Sequence, residues 1–250
     1  MSVERRSGQN NYLDGGDIET DLFDLQPNKR FGVGIFDSSS IVNYKPGSIE
    51  EAYLKFRANV YIDEAGILDN NEKRSDGTEL DSDDERSAHI IAFENKIGAL
   101  AIIGCMRLLE KNENHYNPLP IEIFFPEIFS DPLPIGSKES SRFIVSYKNI
   151  AMKSLIKRRI LISSVAYTSL DTNNPVYAVV EDNLKRDLAI FGVPLEEIGP
   201  KKMIEKYHSI NYPIKINQHE FANRLGKEAI SQIDTDFGSI SYFGNIKANK

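Results

Sequence analysis

The run Ala88-His-Ile-Ile-Ala-Phe93, followed by Ile97-Gly-Ala-Leu-Ala-Ile-Ile-Gly-Cys-Met-Arg-Leu-Leu109, decides the architecture. Both stretches are apolar and rich in β-branched residues, so each reads as a buried strand. The connection between them is too short for a parallel crossover, so the pair is an antiparallel hairpin. Glycines inside the second run mark candidate bulges. Upstream, Phe31-Gly-Val-Gly-Ile-Phe36 is a further strand. Ser48-Ile-Glu-Glu51 is a capping box that opens a helix carrying Arg57 and Tyr61 a turn apart, with Gly66 as its stop.

Downstream, residues 112–134 wander among prolines around an apolar Ile121-Glu-Ile-Phe-Phe125. Ser141–Tyr147 reads as a strand, Asn149–Leu170 as a helix and Val176–Val180 as a short strand. Glu181–Phe191 is a helix closed by Gly192, and strand-like pieces recur at Tyr212–Ile216 and Ser239–Phe243. This order predicts an α/β fold: a three-layer α-β-α sandwich with a mixed, mostly antiparallel sheet. Residues 1–30 are polar and aperiodic and read as a flexible extension, with one docked stretch at Leu22-Phe-Asp-Leu25; residues 31–250 form the domain proper.

The chain of 250 residues has a net charge of −7, which argues against nucleic acid as a general partner. Its acids and bases are segregated. Residues 63–86 hold ten acids against three bases, whereas residues 145–160 hold five bases and no acid. No run approaches the ~20 apolar residues of a membrane helix, and Met1–Gly8 lacks the apolar core of a secretory signal. Cys105 is the sole cysteine, which fits a reducing compartment; within an apolar strand it reads as packing. The four histidines share no ligand spacing with each other or with Cys105, so no metal site is expected.

Three charged residues stand against apolar strands: Arg107, Glu139 and Arg142. Such charges must be paired to be buried. A structural ion-pair network is the plain reading, but the spacing adds another. Glu139-Ser-Ser-Arg-Phe-Ile-Val145 resembles the Glu-x-Ser-Arg-Phe signature of the acyl-homoserine-lactone synthases, the autoinducer synthases of bacterial quorum sensing. Four further pieces stand in the family's order. Phe31–Asp37 resembles its opening strand, and Arg57-Ala-Asn-Val-Tyr61 its Arg-x-x-x-Phe helix with Tyr in place of Phe. Glu79-Leu-Asp-Ser-Asp-Asp84 resembles its acidic loop, and Gly104-Cys-Met-Arg-Leu-Leu109 its central strand. The family usually places a Trp soon after the helix; here Gly66-Ile67 stands there, and the chain has no Trp.

The resemblance implies the fold of the GCN5-related N-acyltransferases and acyl transfer from a thioester to an amine in the cytoplasm. It makes Glu139 the base that takes the amine's proton. It assigns the acceptor site to Arg57, Tyr61, Asp81, Asp84, Arg107 and Arg142, and the strand that carries the oxyanion donor to Ser141 and Phe143. It implies no resident cofactor, S-adenosylmethionine as the amine substrate, and lactone closure with loss of methylthioadenosine. An amino acid acceptor, as in the related N-acyl amino acid synthases, is the alternative; a non-catalytic scaffold that binds acyl carrier protein is another.

For the acyl chain, the apolar candidates are Ile102, Phe124, Phe125, Phe129 and Val145. Coenzyme A is commonly cradled by a glycine-containing loop at a helix N-terminus. Here no glycine lies between Gly136 and Gly192, and Lys148, Lys153, Lys157, Arg158 and Arg159 take that place. A basic helix face suits the acidic acyl carrier protein, which is therefore the expected donor ahead of acyl-coenzyme A.

Overall fold

The computed structural model describes residues 12–14, 30–96, 99–113, 117–168, 174–224 and 240–243. The strands are β1 (Tyr12–Asp14), β2 (Phe31–Phe36), β3 (Ser87–Lys96), β4 (Ala99–Glu110), β5 (Lys138–Val145), β6 (Val176–Glu181), β7 (Leu195–Glu197), β8 (Lys202–Ile204), β9 (Ser209–Ile216) and β10 (Ile240–Phe243). The helices are α1 (Ser38–Val42), α2 (Ile49–Ala58), α3 (Pro120–Phe124), α4 (Ile150–Thr168) and α5 (Asp182–Ile190). The strands form one mixed sheet in the order β10-β2-β3-β4-β5-β6-β9-β7, with β1 on β4 and β8 on β9. Only β10–β2 and β5–β6 are parallel. The expected mostly antiparallel α-β-α sandwich is the fold observed.

Period-two alternation sorts the hairpin residues between the layers. Ile90 and Ala92 face α4, which packs Ile156, Ile160 and Val165 against that side. Ile91, Phe93 and Cys105 face α1 and α2 on the other. The β3–β4 register shifts between Ala92 and Phe93, beside Gly104, where the glycine reading placed a bulge. Gly104 is needed for closeness: a Cβ there would meet Val145 Cγ2 at 2.9 Å and Ile160 Cδ1 at 3.0 Å.

Several local readings are refined. Ser48 Oγ accepts from Glu51 N, but the Glu51 carboxylate accepts from Gly47 N at 2.7 Å. Helix α2 does not run unbroken to Gly66. It widens into a π-helical turn over Asn59–Glu64, and the chain leaves through Gly66 at φ +60°. Ile121–Phe125 falls largely within α3, fixed by Glu122, whose carboxylate accepts from Leu119 N and Leu133 N and pairs with Lys111. Strands β7 and β8 were not expected. Within the expected flexible extension, Tyr12–Asp14 pairs with Ala99–Ala101; Leu22–Leu25 lies outside the described residues. No described helix is long and apolar enough to cross a membrane.

Two departures from regular pairing create the site. Strands β5 and β6 are in register for three residues, Lys138–Ser140 against Val176–Ala178, and then separate, which opens the sheet. Opposite the gap, the β4–β5 register shifts between Cys105 and Arg107, and Arg142 takes the left-handed region at φ +53°. Gly104→Ala should lower stability by about 1–3 kcal/mol through overpacking against Val145 and Ile160, read as a lower midpoint in urea unfolding; an unchanged midpoint would mean that the two layers can part there.

Candidate active site

The sequence disperses its charges, and the fold gathers them. Arg57 projects from the last turn of α2, Arg107 from β4 and Arg142 from the β5 bulge. Glu79, Asp81 and Asp84 come from the acidic loop between α2 and β3. That loop holds its own shape. Asp81 Oδ1 accepts from Asp83 N at 3.0 Å, and Asp84 Oδ2 accepts from Asp81 N at 2.8 Å, capping a 3₁₀ turn over Ser82–Arg86. A reciprocal cap of this kind satisfies orphan amides and fixes both carboxylates.

Three guanidiniums then meet three carboxylates. Arg57 is bidentate on Asp84, at 2.7 and 3.2 Å, and also pairs with Glu79. Arg107 Nη1 donates to Asp81 at 2.5 Å and Asp84 at 2.9 Å, and its Nε donates to Ser141 Oγ at 3.0 Å. Arg142 Nη2 donates to Glu79 at 2.9 Å and Asp81 at 3.0 Å. Arg57, Glu79 and Asp84 are fully buried, while the Asp81 side chain keeps 20% of its surface. Asp81 is thus the open carboxylate of the cluster. Burial alone would raise the Asp84 carboxyl, but Arg57 and Arg107 outweigh it and hold it well below the usual range. Glu79 is likewise lowered by Arg57 and Arg142 against its burial. Glu79 bridges two arginines and belongs to the site; its place at the head of the acidic motif was the signal for it.

Behind the cluster, the Tyr53 hydroxyl and His89 Nδ1 are 3.0 Å apart, and His89 Nε2 lies 3.5 Å from the Asp84 carbonyl. A carbonyl only accepts, so Nε2 carries the proton. Burial pushes His89 down to about 4, and the ring is neutral. Neither residue belongs to a motif: Tyr53 shares the helical spacing of Arg57 and Tyr61, and His89 sits in an apolar strand run. The buried Cys105 thiol, pushed up to about 12 by burial, stays protonated and donates to the Arg142 carbonyl at 3.3 Å.

Glu139 stands apart from the ion cluster. It is 1% exposed, and its carboxylate accepts a hydrogen bond from Ile121 N at 2.8 Å. Burial lifts its pKa to about 8, with the Ile121 amide opposing. Glu139, Ser141, Arg142, Phe143 and Val145 all line a cleft of about 290 Å³ at the split between β5 and β6. Met106, Leu161, Leu184 and Leu188 wall its α4–α5 end, and Tyr61, Ile67 and Tyr207 its α2 end. A larger depression of about 1110 Å³ near Pro194 and Lys215 contains none of these charged residues.

The other expected residues separate into two groups. Val145 lines the cleft, but Ile102 packs under α2 with Phe36 and Phe93. Phe124, Phe125 and Phe129 pack with Leu119, Ile121 and Ile204. None of those four reaches the cleft, because their runs supply the two cores that flank it. Of the expected docking residues, Lys148 is exposed and Arg158 half-exposed, while Lys153 and Lys157 line the cleft and Lys157 pairs with Asp187. Arg159 is 1% exposed, since the helical period turns it inward, and it leaves the docking face.

The autoinducer synthase family model matches residues 45–223. Among solved structures, the chain is similar to the CoA-dependent acyl-homoserine lactone synthase BjaI with MTA, at 16% identity and TM-score 0.61, covering 87% of this chain and 95% of that one. It is similar to the AHL synthase LasI at 16% identity and TM-score 0.56, over 76% of this chain and 91% of that one. It is also similar to FeeM, an N-acyl amino acid synthase from uncultured soil microbes, at 10% identity and TM-score 0.51, over 78% and 96%. No curated protein matches the sequence.

Arg57→Ala strands Glu79 and Asp84 as buried charges and should lower unfolding free energy by roughly 3–5 kcal/mol. Arg57→Lys keeps the charge but loses the bidentate geometry and should fall between that variant and wild type. Urea unfolding of the three proteins checks the order; equal midpoints would refute it. The family match covers most of the chain, and the protein belongs to the autoinducer synthases.

Proposed function

We propose that the protein is an N-acyltransferase that makes acyl-homoserine lactone from an acyl thioester and S-adenosylmethionine. The carrying observation is that the buried, protonatable Glu139 and Arg142 line one cleft whose far end is apolar, and that Arg142 pairs there with Asp81, the open carboxylate of the ion cluster. The acyl chain enters along Met106, Leu161 and Leu188, and the acceptor lies towards Tyr61 and Ile67.

In this reading Asp81 attracts the acceptor's ammonium. Arg142 keeps a buried Nε–H without a partner among the described residues, and that donor suits the acceptor's carboxylate. Glu139, as its carboxylate, takes the ammonium proton, and the free amine attacks the thioester carbonyl. A pKa near 8 suits that exchange better than an ordinary carboxyl would. The backbone N–H of Phe143, beside the register shift between β4 and β5, stabilises the oxyanion. The C–S bond breaks and the thiol leaves. The acceptor's carboxylate oxygen then attacks the carbon beside the sulfonium, closing the lactone and releasing methylthioadenosine. BjaI has been solved with SAM and isopentyl-CoA, the same two ligand classes.

The donor we favour is acyl carrier protein. The N-terminus of α4, where a pyrophosphate would sit, is capped by Asn149 Oδ1 on Met152 N at 3.0 Å, and no glycine opens the backbone there. Around it stand Lys148, Arg158 and the exposed Ile150 and Leu155, a basic and apolar face for an acidic protein. Both substrates are intracellular, so a cytoplasmic location follows. The alternative acceptor, an amino acid, is favoured by the tryptophan-free wall at Ile67.

Mass spectrometry of organic extracts from expressing cells separates the readings: acyl lactones support the first, acyl amino acids the second, and neither product would leave only a non-catalytic scaffold. Glu139→Gln should lower turnover by roughly two to four decades and remove a rise in rate with pH through about 8; unchanged kinetics would take the base role away. Lys148→Glu with Arg158→Glu should raise the apparent KM for acyl carrier protein several-fold, on the usual weight of steering charges, while sparing acyl-coenzyme A. Equal effects on both donors would count against docking at α4.

A further inference from the structure

The β8–β9 hairpin takes no part in the reaction just described, yet its turn reaches the cleft. The turn spans Glu205–Tyr207 and is completed by His208, a non-glycine residue at φ +51°. Among the described strands β8 pairs with β9 alone, by a ladder of three residue pairs, so the outer arm of this hairpin is lightly held. Its tip reaches across to other segments. Lys206 pairs with Glu72 at 3.4 Å, and His208 Nε2 lies 3.7 Å from an Asp69 carboxylate oxygen, both on the loop that follows α2. Lys202 meets Glu127 at 3.0 Å, on the loop after α3. The hairpin therefore straddles the cleft mouth from α3 to α2.

Tyr207 is the residue this arrangement delivers. It packs on one side against Tyr61, Ile62 and Leu68, and on the other meets the Phe124 ring edge-on at 5.2 Å. It lines the cleft with Tyr61, Ile67, Glu139 and Arg142. Burial raises its hydroxyl, while the Arg142 guanidinium, within hydrogen-bond reach, opposes. The face of Tyr61 is already covered by Arg142, whose Cζ lies 5.4 Å from the ring centroid. Tyr207 is thus a second aromatic wall at the acceptor end, and it comes from the other side of the mouth.

We propose that Tyr207 is a specificity-determining residue for the amine acceptor, its ring stacking on the nucleoside half of a sulfonium nucleoside and its hydroxyl holding Arg142 against the acceptor's carboxylate. This rests on the acceptor being S-adenosylmethionine. A flat heterocycle matches a ring presented from a half-buried wall, and such stacking is worth about 1–3 kcal/mol per base on alanine substitution. An aliphatic amino acid has no ring to stack there. The hairpin consequently sorts acceptors, while the opposite end of the cleft, near Leu161 and Leu188, sorts acyl chains.

The test measures thiol release from an acyl thioester at varied S-adenosylmethionine, together with calorimetric binding of methylthioadenosine, for wild type and three variants. Tyr207→Leu keeps apolar packing on Leu68 without the ring, and Tyr207→Phe keeps the ring without the hydroxyl; Tyr207→Ala removes both. Tyr207→Leu and Tyr207→Ala should raise KM for S-adenosylmethionine and weaken methylthioadenosine on the order of tenfold or more, with KM for the acyl thioester within about twofold. Tyr207→Phe should bind methylthioadenosine as wild type does, because that product has no carboxylate. If wild type uses S-adenosylmethionine and Tyr207→Leu matches it in both readouts, the role of Tyr207 is refuted and the acceptor stands. If wild type acylates an amino acid and neither uses S-adenosylmethionine nor binds methylthioadenosine, acceptor and role fall together.

Discussion

The structure depends on a charge balance enclosed where water is excluded. Arg57, Arg107 and Arg142 face Glu79, Asp81 and Asp84, and five of the six are nearly or wholly buried. Moving any one alone from water would be strongly unfavourable, and a single missing partner leaves a bare charge. The cluster is therefore all or none, and it imposes geometry. It joins the end of α2 and the acidic loop to the middle of β4 and the bulge of β5. A network of this sort adds little to stability compared with an apolar core of equal volume. Its value lies in fixing four pieces of backbone at once.

The left-handed Arg142 shows what the cluster sustains. A non-glycine residue at φ +53° is disfavoured by of order 1–3 kcal/mol and persists only where its surroundings overdetermine it. Here Glu79 and Asp81 hold the side chain, and the protonated Cys105 thiol holds the carbonyl. The bulge lies where β5 leaves β6. One local distortion thus brings a guanidinium to the cleft that Glu139 also lines. Glu139 differs from the other acids because no cation sits on it. The same burial that leaves Asp84 ionised beside two arginines lifts Glu139 to about 8. Two carboxylates on one scaffold are in this way made to titrate far apart.

Much of this was legible in the residues. The hairpin of β3 and β4 shows in its apolar runs, α2 in Ser48 and Glu51, and the end of α5 in Gly192. Arg107 and Arg142 announced themselves as charges against apolar strands. What sequence could not give was side-chain depth in segments of uniform character. Phe124, Phe125 and Phe129 look like an acyl slot because they are apolar, yet they fill the core under α3. Arg159 looks like its neighbour Arg158, yet one residue is a 100° rotation of the helix and changes solvent for interior. The cleft itself comes from the length of a ladder, three pairs and no more, and no residue type encodes where two parallel strands part.

That last point bears on how the reactants meet. A closed sheet would separate the α4–α5 face from the α2 face, and substrates docking on opposite faces could not touch. The split past Ser140 and Ala178 makes a passage between them, with leucines at one mouth and tyrosines at the other. The two reactants differ in the same sense, an apolar chain against a charged, polar acceptor. In the proposed reaction each is drawn to the mouth whose walls match it, so chemical sorting and orientation come from the same partition. That proposal puts the thioester carbonyl at the boundary, next to the bulge and Glu139, where an amine arriving from the charged side has its nearest approach. Holding reacting groups at such a boundary replaces the search of free encounter with a fixed geometry, a large part of what an acyltransferase must supply.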